Sequence, residues 1–404
     1  MATGTSEVEP EGGRARRLSA RLRSEERVTP LELFFDLVFV LALTQCTALM
    51  ADDPTWEGLA KGVVALGLLW WGWVGYSWLT STVDPEEGAV RILMFGAMAA
   101  FLVVSLCIPG AFGGLALEFA IAYGLVRYLQ IALLYLAGRE TPELRHSVLI
   151  GLLGSTTVGI GLLVGASFLE GDVQLALWAL ALALDMAGPL LFGSEGWKLA
   201  PEHFAERHGL ILIIALGESI VAIGAGSEVG VDAGVIAAAV IGIAIAAALW
   251  WMYFDVVAIV ASRRLAAAPP GKEQNEMARD SYSFLHLALV GGIVLSALGL
   301  KKTLGDVGDP LKLVPAFALL GGLATYLLGH VAFRWRNIHS INRQRLLLAI
   351  VMLALLPVAV EIPALATLAI SATLLAAIVA FETHLYGESR ERVRHGDYAP
   401  GIPR

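Results

Sequence analysis

Apolar segments long enough to cross a bilayer recur along almost the whole chain, near residues 31–50, 56–79, 89–108, 114–138, 145–168, 173–192, 207–226, 232–261, 281–300, 311–334, 344–361 and 364–386. A spanning helix needs roughly 20 mostly apolar residues. Hydrocarbon offers no water to unpaired backbone groups, so such segments cross as helices. The expected fold is therefore all-α: a polytopic integral membrane helical bundle of about twelve transmembrane helices. Charged residues make up 16% of the 404 residues, against roughly 25% in soluble domains. This excludes a soluble enzyme. The segment 232–261 is long enough to tilt or to extend past the bilayer.

Charge distribution sets the orientation. With the N-terminus in the cytoplasm and the helices alternating, 23 of the 28 Lys and Arg residues fall on inside tails, loops and adjoining helix ends. The outside holds Lys61, Lys301, Lys302 and Lys312, and Arg127 lies within the fourth helix. This bias follows the positive-inside rule and predicts both termini in the cytoplasm and an even number of spans. No apolar stretch with a cleavage site precedes the first helix, so no signal peptide is expected. Residues 1–27 and 388–404 read as polar cytoplasmic tails, both disordered by composition. Cys46 and Cys107 lie in apolar segments and read as inert thiols.

The chain repeats itself with a period near 180 residues. DLVFVLAL from Asp36 corresponds to ESIVAIGA from Glu218, Glu26-Arg27 to Glu206-Arg207, and Leu69-Trp70-Trp71 to Leu249-Trp250-Trp251. Both halves enter from the cytoplasm, which predicts a parallel six-plus-six arrangement with repeats 28–200 and 201–387. Transporters place substrate sites at such repeat interfaces.

The segments RVTPLELFFDLVFVLAL and ERHGLILIIALGESIVAIG resemble the bacterial low temperature requirement protein A family over residues 27 to about 386. The matching positions are Glu32, Phe34, Phe35, Asp36, His208, Gly217, Glu218 and Ser219. The resemblance implies a multi-pass membrane protein linked to growth in the cold. It carries over no catalytic residue.

Ionisable residues inside spans are costly and are functional candidates by default. Glu32 and Asp36, four residues apart, share a helix face. Asp36 lies roughly 8 Å and Glu218 roughly 15 Å from the cytoplasmic boundary at helical rise. Asp185, Asp255 and His286 fall at a depth similar to that of Asp36, which suggests a polar vestibule open to the cytoplasm. Arg127 needs a carboxylate, with Asp36 or Glu218 as the candidates. Each of these residues has a plainer reading, since buried ion pairs can simply fix helix register. His330 and Glu382 read as structural. The Trp pairs read as packing or as a stacking surface for a ligand, and the Gly161 to Gly165 run as a close helix contact.

There is no phosphate-cradling loop, no metal-ligand spacing and no hydrolase motif, so no cofactor is expected. The short basic loops read as topology signals and not as nucleic-acid sites. The leading expectation is a secondary transporter in the bacterial inner membrane, moving a small solute coupled to protons through Glu218 and Asp36. The alternatives are a structural or stress-related membrane protein without transport, an integral membrane lipid-modifying enzyme, or a channel. The oligomeric state stays open.

Overall fold

The computed structural model describes residues 27–86, 88–137, 142–191, 197–226 and 232–395. The candidate disordered tail before Arg27 and the end of the chain after His395 lie outside the described residues. Eleven helices have the length and hydropathy to cross a membrane: α1 (Pro30–Asp52), α2 (Trp56–Thr82), α3 (Val90–Gly110), α4 (Ala116–Ala137), α5 (Leu144–Ala166), α6 (Gly171–Leu191), α7 (Pro201–Gly224), α8 (Ala233–Ala267), α9 (Lys272–Gly305), α10 (Leu313–Ile338) and, near the C-terminus, Ala364–Leu385. Between the last two lies α11 (Arg343–Ala354), which is followed by one further turn, Leu356–Ala359. Ala364–Leu385 is therefore numbered α12, and a short surface helix, α13 (Gly387–Arg394), follows it where a disordered tail was expected, because Arg390 and Val393 find buried sites against the bundle. Among the described residues there is no strand, only an isolated bridge between Pro310 and Pro363.

The expected span at 344–361 is not among these eleven: that segment is broken into α11 and one further turn. Pro357 has no backbone N–H and its ring crowds the preceding turn, which kinks or breaks a helix, and here the helix ends at Ala354. The segment still joins the two ends of the bundle. It starts beside the end of α10, and its far end is tied to the loop before α10, where Ala364 N–H donates to the Asp309 carbonyl at 2.9 Å and Leu365 N–H to that of Val307 at 3.2 Å.

Local signals fix several helix ends. Pro30 opens α1, where its missing N–H costs nothing. Thr29 and Glu32 form a capping box: Glu32 N–H donates to Thr29 Oγ1 at 3.3 Å, and Thr29 N–H to Glu32 Oε2 at 2.9 Å. Asp232 caps α8 by accepting from Val235 N–H at 2.8 Å. The long α8 breaks at Asp255 and Val256 into Ala233–Phe254 and Val257–Ala267. Wide π-helical turns interrupt α5 at Ser147–Leu153 and α9 at Arg279–Phe284.

The packing partners follow one scheme. In the first six helices α1 touches α2 and α3, α3 touches α4, α2 touches α4 and α6, and α5 touches α4 and α6. In the last six α7 touches α8 and α9, α9 touches α10, α8 touches α10 and α12, and α11 touches α10 and α12, while α9 also touches α8 and α12 without a counterpart in the first six. The halves meet where α1 and α2 lie against α7 and α9.

Glycine decides the closest approach. A side chain on Gly292 of α9 would stand 2.7 Å from the Gly322 carbonyl and the Tyr326 amide, and one on Gly322 of α10 would stand 2.6 Å from Ser296 N. The two backbones therefore touch, as small residues in membrane helices allow. The expected contact at Gly161 and Gly165 is absent: both are exposed with open space beside them. The face of α5 that meets α6 instead carries Thr156, Gly159, Leu163 and Ala166, because spacing alone does not say which face is buried. Gly292→Ala and Gly322→Ala are each expected to destabilise the protein by about 1–3 kcal/mol. Gly161→Ala and Gly165→Ala are expected to be neutral or slightly stabilising, since Ala is the better helix former. Thermal melts of the detergent-purified variants distinguish these outcomes.

Candidate functional site

The two acids of α1 face two bases of α7. His203 Nε2 lies 2.9 Å from Glu32 Oε1. An ionised Glu32 would accept here from a proton on His203 Nε2. Arg207 Nη2 donates to Asp36 Oδ1 at 2.5 Å, while Nη1 donates to Thr80 Oγ1 at 2.9 Å and lies 3.6 Å from Glu32 Oε1. All four side chains are fully buried. Trp73 Nε1 donates to Asp36 Oδ1 at 2.8 Å, and the Arg207 guanidinium lies 5.4 Å from the Trp73 ring centre and 5.9 Å from that of Phe35. Further along the same seam Thr44 Oγ1 donates to Glu218 Oε2 at 2.6 Å. The pairs 32–203, 36–207 and 44–218 advance together, so α1 and α7 run parallel.

An aromatic shell continues from this cluster into the second half. His208 stands 4.9 Å from Trp73 and 5.3 Å from His286, ring centre to ring centre. His286 Nδ1 donates to the Ser281 carbonyl at 2.9 Å, which leaves Nε2 to accept from Tyr253 Oη at 2.8 Å. The wide turn in α9 loosens the regular backbone ladder. The carbonyls it presents are claimed by side chains: His286 takes Ser281, and Trp70 Nε1 donates to Ser283 O at 2.7 Å.

Arg127 does not reach Asp36 or Glu218. It donates to Asp185 Oδ1 at 3.0 Å, to Thr156 Oγ1 at 3.2 Å and to Gln130 Oε1 at 2.6 Å. Asp36 is already held by Arg207 across the α1–α7 seam, whereas α4, α5 and α6 bring Arg127, Thr156 and Asp185 together. Arg127 and Gln130 line a cavity of about 50 Å³ with Trp71, Trp78, Gly151 and Ser283, which is space for a few water molecules.

The expected common vestibule of Asp36, Asp185, Asp255 and His286 does not form. Asp36 belongs to the α1–α7 cluster, Asp185 to Arg127, and His286 to the aromatic shell. Asp255 is bound by Arg390, at 2.5 Å, and by Arg394 of α13. Similar depth places residues in one layer of the bundle but not on one face. The Trp pairs also differ: Trp70 and Trp71 are 3% and 4% exposed, while Trp250 and Trp251 are 43% and 38% exposed and face outward.

Glu218 stands apart. Among the described residues the buried carboxylates of Glu32, Asp36, Asp185 and Glu382 each have an arginine or histidine within ion-pair distance, whereas Glu218 has a threonine hydroxyl. His203 and Arg207 were not among the residues expected at the site. Their signal was available, since His-x-x-x-Arg in α7 has the same spacing as Glu-x-x-x-Asp in α1. Among the described residues no group of three His, Cys, Asp or Glu side chains is placed to hold a metal ion.

The family model for the bacterial low temperature requirement A protein matches residues 27–380. An uncharacterized protein of Rhizobium meliloti (strain 1021) is 29% identical over 308 residues, covering 74% of this chain and 75% of its own length. No solved structure matches.

Removing one member of a buried ion pair leaves the other uncompensated. Asp36→Ala and Arg207→Ala are each expected to cost about 3–5 kcal/mol, and the double variant distinctly less than their sum. Unfolding of the three variants in detergent measures the coupling, and additive losses would remove the pair from its structural role.

Proposed function

The chain belongs to the bacterial low temperature requirement A protein family, and we propose that on this membrane scaffold it works as a proton-coupled secondary transporter of a small solute, with Glu218 as the coupling carboxylate. The observation that carries this reading is the contact of Glu218 with Thr44 at the join of the two halves. Protonating Asp36, Asp185 or Glu382 would strand a buried arginine, which is expensive. Protonating Glu218 breaks no close ion pair and keeps the Thr44 hydroxyl within reach. Proton exchange at Glu218 can therefore be linked to movement of α7 against α1.

The matching packing schemes of the two halves support a parallel six-plus-six duplication, with α1 and α7 as its corresponding first helices. Each half also carries a buried arginine–carboxylate pair beside a cavity: Arg127 with Asp185 in one, Arg345 with Glu382 in the other. Glu218 lines neither cavity, so this conformation corresponds to a closed state of the seam. In this reading the protein sits in the inner membrane with both termini cytoplasmic.

A second reading, modification of a lipid, rests on one feature. A groove between α1 and α7, lined by Leu33, Phe34, Leu37, Leu210 and Ile213, opens on the outer surface of the bundle beside Asp36. In a bilayer that groove faces acyl chains.

Glu218→Gln keeps size and hydrogen bonding. In liposomes the variant is expected to fold normally and to lose pH-dependent solute flux. A folded variant with unchanged pH-dependent flux contradicts the assignment, and lipid conversion by the purified protein would favour the second reading. Reporter fusions after residues 140, 270 and 340 are expected to report cytoplasm, and those after 53, 171 and 306 the opposite side. Reversed sides confined to the second half would show that the count of crossing helices is off by one.

A further inference from the structure

A second polar chamber lies away from the α1–α7 seam. A cavity of about 240 Å³ is enclosed by the end of α8, by α10, α11 and α12, and by α13 packed across them. Its mouth is marked by the exposed residues Arg334 and Tyr386.

The chamber holds polar groups that the fold leaves unused. His330 is 2% exposed, lines the cavity, and neither ring nitrogen has a hydrogen-bond partner. A neutral imidazole always has one donor and one acceptor to satisfy, and leaving such a group buried without partners costs stability. Tyr326 and Tyr253 hold the ring in place at 4.7 Å and 6.0 Å, ring centre to ring centre. Arg390 is also buried and lines the cavity. Its Nε donates to Asp255 at 2.5 Å and its Nη1 to Thr383 Oγ1 at 3.3 Å, while its Nη2 has no partner among the described residues.

The charge balance favours an anion. Arg345 forks onto Glu382, with Nε at 3.0 Å and Nη2 at 2.8 Å, so this pair is internally neutral. Asp255 is shared by Arg390 and Arg394, and Arg334 at the mouth has a serine hydroxyl as its partner. Guanidinium groups therefore outnumber carboxylates around the chamber. Met252, Val257 and Phe333 supply an apolar wall. Guanidinium forks suit carboxylate and phosphate oxygens, and the apolar wall suits a short hydrocarbon group.

We propose that this chamber binds a small organic anion, a carboxylate or phosphate bearing a short apolar substituent, held between His330 and Arg390 with α13 as its cover. This site is independent of the transport reading. The same chemistry is presented by a soluble amphiphilic anion and by an acidic lipid headgroup.

The test uses the full chain in phosphatidylcholine nanodiscs, titrated with hexanoate and with hexyl phosphate, and in parallel the chain in phosphatidylglycerol nanodiscs without either probe. The readout is the shift of the thermal unfolding midpoint, with hexanol as the uncharged control. The variants are His330→Leu, which replaces an unpartnered polar group by an apolar one and is expected to fold at least as well as the wild type, and Arg390→Gln. A saturable stabilisation by hexanoate or hexyl phosphate that weakens roughly tenfold to a hundredfold in apparent affinity in both variants, with no effect of hexanol, supports a soluble ligand. Stabilisation confined to phosphatidylglycerol and lost in both variants supports a lipid headgroup at the same site. Stabilisation that both variants retain, equal stabilisation by hexanol, or no stabilisation in any arm overturns the proposal.

Discussion

The contact between Arg207 and Asp36 sets the register of the whole molecule. Inside a bilayer neither charge can be solvated, so each must be neutralised by the protein. Together with His203 and Glu32 it makes a two-rung ladder between α1 and α7, the first helices of the two halves. A slip of α7 by one turn would separate both rungs at once. The ladder therefore does more to select one alignment than to add net stability, since desolvating the charges offsets much of their attraction.

Other features follow from that alignment. Trp73 donates its indole N–H to Asp36, and this anchors α2 against the seam. Trp70, one turn away, caps a carbonyl of the wide turn in α9. His208, the residue after Arg207, fills the space between Trp73 and His286 and so carries the aromatic shell from the first half to the second. The parallel alignment also brings Glu218 to Thr44. Among the described residues, the one buried carboxylate with no cationic group at ion-pair distance thus sits on the same seam as the most tightly neutralised ones. In the proposed function, this contrast is what assigns proton exchange to Glu218 and a positional role to the others.

Much of the fold was legible in the sequence. The apolar segments gave the helices and their order because a membrane span must be long and mostly apolar. The break before Pro357 was not read from the sequence, because segment length alone made 344–361 look continuous. The family was legible in RVTPLELFFDLVFVLAL and ERHGLILIIALGESIVAIG. The acids were legible as candidates because charge inside a span is rare. Their partners were not, because depth along a helix gives one coordinate and the rotation of each helix decides the rest. Arg127 could not be assigned to Asp185 without knowing that α4 and α6 face each other across α5. The exposure of Gly161 and of Trp250 was hidden for the same reason. His203 was missed because α7 begins one to two turns earlier than hydropathy suggested, which turns a loop histidine into a helical one.

The central claim is that Glu218, and not its neutralised neighbours, is the carboxylate that changes protonation. The most direct measurement is a pH-jump infrared difference spectrum of the protein in lipid, read in the carboxyl C=O stretching region. The account predicts a carboxyl band that appears and disappears with pH, vanishes in Glu218→Gln and persists in Glu382→Gln. A band that survives in Glu218→Gln, or that is lost in Glu382→Gln instead, would contradict it.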